Sequence, residues 1–194
     1  MKKYTSYIEN TYSKELLLII ELSKHEPDRG KINQLVAHVD FESFYALTIK
    51  HRMVSHVLHH TELISNTIPA SYLEKLKKTK IEQAQRALNY MLYVIQIHEQ
   101  LEIQSIKHCF FKGPLLSLQL YNDIGVRNFG DIDILVEKQD AEKAKEIIQE
   151  LNFKCIYPKI RLTPKQQKVN YTISHHYHFK HRAKALDVEL HWNI

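Results

Sequence analysis

Glycine is scarce in this chain. Four occur among 194 residues, and only Gly30 stands before Gln100, so the first half has few places where a helix is forced to stop. Cysteine is scarcer still. Cys109 in "HCFFK" and Cys155 in "FKCIY" sit in apolar surroundings without Cys-x-x-Cys spacing, which argues against a disulfide framework or a thiolate metal site and reads as two buried free thiols. No apolar run approaches the roughly 20 residues a membrane-spanning helix needs, and the start, "MKKYTSYIENTYSKE", lacks the apolar segment of a signal peptide. The reading is therefore a cytoplasmic protein with no membrane partner. There is no internal repeat and no low-complexity segment. Block charge is missing too. The 27 Lys and Arg exceed the 22 Asp and Glu, for a formal charge of +5, but they are spread along the chain. Such a balance suits a polyanionic partner, nucleotide phosphates or nucleic acid, without selecting one.

What is present has two textures. Up to about residue 100, apolar residues recur at helical spacing: Leu16, Leu17, Ile19 and Ile20; Phe44, Leu47, Met53, Val54, Val57 and Leu58; Ala84, Leu88, Met91, Leu92 and Ile95. Breaks fall at "HEPDRGK" and "SNTIPAS". From Ile106 the pattern turns to strand, helix, strand. "KHCFFK" reads as a short strand, "PLLSLQLY" as a helix opened by Pro114, and "DIDILV" as a second strand. "DAEKAKEIIQELNF" reads as a helix with Asp140 as N-cap and Ala144, Ile147, Ile148 and Leu151 on its buried stripe. "KCIY" follows as a strand, then a polar loop through Pro158 and Pro164. Two alternating stretches, "TISHHYHFKH" and "ALDVELHW", joined by "RAK", suggest an antiparallel hairpin. The class is α+β: a helical region over residues 1–100, then a core with a small mixed sheet over 101–194.

"RNFGDIDILVEK" carries the chemistry. Side chains alternate along a strand, so Asp131 and Asp133 share one face while Ile132 and Ile134 point to the core. Two carboxylates roughly 7 Å apart on one face repel each other unless a cation lies near them, and hard oxygen ligands suit Mg2+ or Mn2+. For a bare Asp-x-Asp the alternative is a pair of solvated acids on an exposed face. Downstream, Asp187, Glu189 and His191 share one face of "ALDVELHW". If that strand pairs beside the Asp-x-Asp strand, Glu189 or Asp187 completes a three-carboxylate cluster able to hold two metals. Upstream, "FFKG" ends the first strand with Lys112 and Gly113, a place where a phosphate can approach the backbone at a helix N-terminus.

Three enzyme classes place Asp-x-Asp at a strand. Aspartyl phosphatases and metal-binding glycosyltransferases carry the apolar strand before the acids. Here it follows them, after a glycine-containing turn, as in polymerase-β-like nucleotidyltransferases. "FFKGPLLSLQLYNDIGVRNFGDIDILVEKQDAEKAKEIIQELNF", with the later "DVELHWNI", resembles the uncharacterised bacterial nucleotidyltransferase family of that superfamily. Its hallmarks are a Lys-Gly turn, an Arg shortly before Asp-x-Asp-hydrophobic-Leu-Val, and a late acidic-Leu-His-Trp strand. "ALTIKHRMVSHVLHH" is similar to its usual histidine-containing helix.

The resemblance implies Asp131, Asp133 and Glu189 as catalytic metal ligands for Mg2+ or Mn2+. It implies Lys112, Gly113 and Arg127 as the nucleotide-binding residues. The activity implied is metal-dependent transfer of a nucleoside monophosphate from a nucleoside triphosphate to an acceptor hydroxyl on a small molecule, peptide, protein or RNA. Two departures stand out. The Gly-Ser of better-known members is Gly113-Pro114, which removes a hydroxyl and a backbone donor. The family also continues past its His-Trp strand, so the core reads as truncated at its C-terminus. The alternative function is a catalytically weak module of the same fold that binds nucleotide or RNA.

Each residue has a plainer reading. Lys112 and Arg127 can serve as ion pairs to Asp131 or Asp133. His191 either orients a metal-bound carboxylate or packs beside Trp192. The histidines of "HHYHFKH" lack the usual zinc spacing, and read instead as lining the open side of a cleft or a sheet face that meets substrate.

Overall fold

The computed structural model describes residues 11–160 and 162–193. The start of the chain, read above for a leader segment, falls largely on residues 1–10 and lies outside the described residues. Contacts divide the chain into two compact units between Ala84 and Gln85.

The described part of the first unit is helical. It holds α1 (Lys14–Leu22), α2 (Arg29–Val36), α3 (Phe41–Lys50), α4 (Val54–His59), a 3-10 turn (Thr61–Leu63) and the start of α5 (Ala70–Ile103). Ser13, Asp28 and Asp40 each accept a hydrogen bond from a backbone N–H of the first turn, so three helices start on side-chain caps. Leu18, Leu22, Ile32, Phe44, Val54, Val57 and Leu76 form a fully buried core. The stretch from Ala46 to His60 is two helices instead of one, because Arg52 takes a left-handed φ of 60° between α3 and α4.

The second unit is the α+β part. After the rest of α5 come β1 (His108–Phe110), α6 (Gly113–Tyr121), β2 (Asp131–Val136), a 3-10 turn (Lys138–Asp140), α7 (Ala141–Glu150), β3 (Phe153–Tyr157), α8 (Pro164–Ile173), β4 (His176–His181) and β5 (Asp187–His191). The five strands form one mixed sheet in the order β1-β2-β5-β4-β3. β2 and β5 run parallel, and the other neighbours are antiparallel. One face carries Ile132, Ile134, Tyr177, Phe179, Val188 and Leu190 into a core shared with Ala144 and Ile148 of α7. Burying a side chain of this size contributes roughly 1.5–3 kcal/mol, so alternation along β2 and β5 fixes which face meets the core and leaves their acids on the other.

Four expectations change. The polar loop contains α8, opened by a capping box in which Thr163 and Gln166 cap each other's backbone N–H, with Pro164 in the first turn. Thr172 and Ile173 therefore end a helix instead of starting a strand. Asp140 stands at the head of α7 but makes no side-chain cap, because a 3-10 turn has already put it in helical conformation. On α5 the buried face is Ala87, Tyr90, Val94, Ile97 and Leu101, while Leu88, Leu92 and Ile95 are exposed. The thiols are free but not buried: Cys109 is exposed on an edge strand and Cys155 is half-buried.

Candidate active site

The parallel pairing of β2 with β5 sets Asp131 opposite Asp187, Asp133 opposite Glu189 and Leu135 opposite His191. Two acidic pairs thus occupy one sheet face at alternate registers, with Ile132 and Val188 paired between them on the other face. Their environments differ. Asp133 is 1% exposed, whereas Asp131, Asp187 and Glu189 are half-buried.

Asp133 gathers the contacts. Lys112 Nζ donates to its Oδ1 at 3.1 Å, and His191 Nε2 donates to the same oxygen at 3.2 Å. The same imidazole nitrogen lies 3.3 Å from Glu189 Oε2, so His191 bridges two carboxylates on neighbouring strands. Burial opposes the charge on Asp133, but the hydrogen bonds from His191 and Lys112 outweigh it and hold the carboxyl below its usual range. Asp131 goes the other way. Burial raises its carboxyl above the usual range, the charges of Asp133 and Glu189 raise it further, and Lys112 offsets part of the rise. Asp187 is engaged elsewhere: His178 Nε2 donates to its Oδ2 at 2.9 Å, and Lys180 Nζ forms a looser ion pair with it at 3.9 Å.

The Lys-Gly turn meets this face directly. Gly113 has φ +62°, and a Cβ there would stand 3.2 Å from the backbone oxygen of Asp131. Only glycine tolerates both, so the turn and the start of the Asp-x-Asp strand touch backbone to backbone. The turn before β2 is held from two sides. Tyr90 donates its hydroxyl hydrogen to Gly130 O at 2.7 Å, and Ser117 Oγ accepts from the Arg127 N–H at 3.1 Å. Arg127 Nη1 is a buried donor without a hydrogen-bond partner among the described residues.

These residues fit a divalent cation. Asp133, Glu189 and His191 each offer a ligand atom, all within 4.8 Å of one another. Asp133 Oδ2 is buried and accepts no hydrogen bond from the described residues, although a carboxylate oxygen there loses its hydration. Crowded acids with an unsatisfied oxygen are what a bound cation relieves. The histidines of "HHYHFKH" form no such group among the described residues. His175 and His176 instead pack their rings within 6.1 and 5.3 Å of the His191 ring, and Phe111 meets it edge-on at 5.2 Å.

A family model described as an uncharacterised nucleotidyltransferase matches residues 37–194. The chain belongs to that family. No curated protein and no solved structure matches it. Membership in this nucleotidyltransferase family implies a nucleotide substrate, and no helix of the described residues is long and apolar enough to cross a membrane.

Sequence reasoning named every acid on this face and left His191 with two readings. The contacts with Asp133 and Glu189 favour its part in orienting carboxylates. Tyr90 and Ser117 were not singled out, and neither carries a local signal for its role, since each bonds backbone far along the chain.

Proposed function

We propose that the chain is a metal-dependent nucleotidyltransferase of the polymerase-β type, moving a nucleoside monophosphate from a nucleoside triphosphate to an acceptor hydroxyl. The observation that carries this reading is the side-by-side register of Asp131-x-Asp133 and Asp187-x-Glu189 on adjacent parallel strands, with the upstream Gly113 turn touching Asp131. Asp131, Asp133 and Glu189 would hold Mg2+ or Mn2+. Bound there, such an ion neutralises triphosphate charge and lowers the pKa of the attacking hydroxyl.

The chain's own groups supply the rest. Glu189 is the preferred third carboxylate over Asp187, because His191 ties it to Asp133 while Asp187 is paired with His178. Lys112, half-exposed and resting on Asp133, is the group free to move onto a phosphate oxygen. Arg127 contributes a second cation through its unpartnered Nη1. Gly113 admits the triphosphate to the backbone at the head of α6. In the transfer the acceptor oxygen forms a bond to the α-phosphorus, the bond to the β-phosphate's bridging oxygen breaks, and pyrophosphate leaves. The acceptor's proton passes to Glu189, a half-buried carboxylate of the cluster.

One observation favours a second reading, a module that binds nucleotide or RNA with little transfer. Pro114 offers no N–H at the head of α6, which removes one donor to the phosphates. Pyrophosphate release separates the two. With each nucleoside triphosphate and a panel of hydroxyl acceptors, the enzyme reading expects magnesium-dependent release, and nucleotide binding without release would favour the module.

A further inference from the structure

A second cluster of ligating groups lies at the β1 edge of the sheet, away from the paired acids. His108 stands opposite Val136, at the far end of β2 from Asp131. It is brought there by the way α5 ends. Ser105 takes a left-handed φ of 55°, Ser105 N–H donates to Glu102 O, and Ile106 N–H donates to Leu101 O at 2.9 Å, the paired hydrogen bonds of a Schellman motif built without glycine. Ile106 and Leu101 are both buried beneath that turn. The chain therefore folds back so that His108 meets the last turns of the helix it has just left.

Two α5 residues await it. His98 and Glu102 are four apart, so they lie on one side of the helix. His98 Nδ1 is 2.7 Å from His108 Nε2, and Glu102 Oε1 is 3.8 Å from Nδ1 of the same His108 ring. The tautomer of His108 follows from its other nitrogen. Nδ1 lies 2.8 Å from the carbonyl oxygen of Ile106, which can only accept, so Nδ1 carries the hydrogen and Nε2 of the neutral ring presents a lone pair. A histidine whose second nitrogen is fixed on a backbone carbonyl has the usual support of a metal ligand. The His108 side chain is only 4% exposed and is therefore held in place, while Glu102 at 64% is free to adjust.

We propose that His98, Glu102 and His108 form a binding site for a divalent cation of the zinc type, separate from the carboxylates of β2 and β5. Each of the three residues brings one ligating atom within 4.8 Å of the others, and the exposed Glu102 carboxylate can swing toward Nε2. Two imidazoles and one carboxylate suit zinc and its transition-metal neighbours, whereas Mg2+ prefers oxygen alone. Zinc takes the place of the hydrogen that His98 Nδ1 now donates to His108 Nε2, and that hydrogen moves to the outer Nε2 of the exposed His98 ring as it changes tautomer. At Zn–N distances of about 2.0–2.1 Å the two nitrogens need only separate modestly. Solvent completes the fourth position. The bound ion clasps the end of α5 to the edge strand that leads into Lys112.

The test is calorimetric titration of zinc chloride into the full chain, with millimolar Mg2+ present to compete at the carboxylates. The site predicts one zinc equivalent in the parent protein. His98→Ala, and separately Glu102→Gln, both exposed positions, keep the parent far-ultraviolet circular dichroism, and His98→Ala weakens zinc about 100-fold or more. Asp133→Asn retains the zinc equivalent. The proposal is overturned if the parent takes up no zinc, if His98→Ala binds it as tightly as the parent, or if Asp133→Asn abolishes binding.

Discussion

His191 donates its Nε2 hydrogen to Asp133 across 3.2 Å, although the two residues are 58 positions apart. The bond exists because β5 lies parallel to β2 with His191 two registers beyond the Asp133–Glu189 pair. It joins two nearly inaccessible side chains, 8% and 1% exposed, in a place where a lone carboxylate is costly.

Replacing His191 with Phe keeps a ring and removes the donor. Asp133 stays buried, so its carboxyl rises from its present depressed range. On the proposed reaction the acidic limb of the pH profile for pyrophosphate release moves to higher pH. The turnover falls about 10–100-fold, with little change in KM for the triphosphate. A merely structural histidine would lower the amount of folded protein and leave the limb where it was.

Gly113→Ala tests the contact between the turn and β2. The substitution meets a left-handed backbone and a 3.2 Å approach to Asp131 O together. Left-handed φ costs an ordinary residue about 1–2 kcal/mol, so the urea midpoint should fall by at least that equivalent. An unchanged midpoint would mean that the turn is free to rearrange.

A pH-dependent contribution to stability comes from Glu142 at the start of α7. Burial opposes its charge, but hydrogen bonds from Tyr177, Lys145 and Tyr171 hold its carboxyl below the ordinary 4.5. A lowered folded-state value stabilises the fold above the unfolded value, and that stabilisation fades as the pH drops through the folded one. Glu142→Gln should therefore be less stable than the parent near neutrality, with the gap closing below about pH 4.5. On the alkaline side Tyr171 is pushed up to about 12, chiefly by burial. Its contribution is complete below pH 10 and disappears as the pH rises through about 12, which absorbance at 295 nm follows. A gap that stayed constant through the acid range would contradict the assignment to Glu142.

Much of the site can be read from sequence because it lies on strands, where a period of two assigns every side chain to a face. "DIDILV" is β2 to the residue, and the acids of "DVELH" lie beside it. What stayed hidden depends on register or on weak local signals. That one imidazole reaches both Asp133 and Glu189 follows from which strands are neighbours, which alternation does not encode. α8 has few apolar residues, and Pro164 at its head, with Pro158 shortly before, reads as loop, yet Thr163-Pro164 followed by Gln166 is a helix start. The exposed stripe of α5 shows the opposite failure. Leu88, Leu92 and Ile95 have the spacing of a buried face, and the smaller or more polar Ala87 and Tyr90 occupy it.

The central claim is that a metal-bound nucleotide rests on the acids of β2. Calorimetric titration of each nucleoside triphosphate in the presence of magnesium, on the parent and on the Asp131→Ala, Asp133→Ala double variant, tests it most directly. The account predicts binding by the parent that requires the metal and is absent from the folded double variant. Equal binding by the two proteins, or binding by the parent that persists when magnesium is withdrawn, would contradict it.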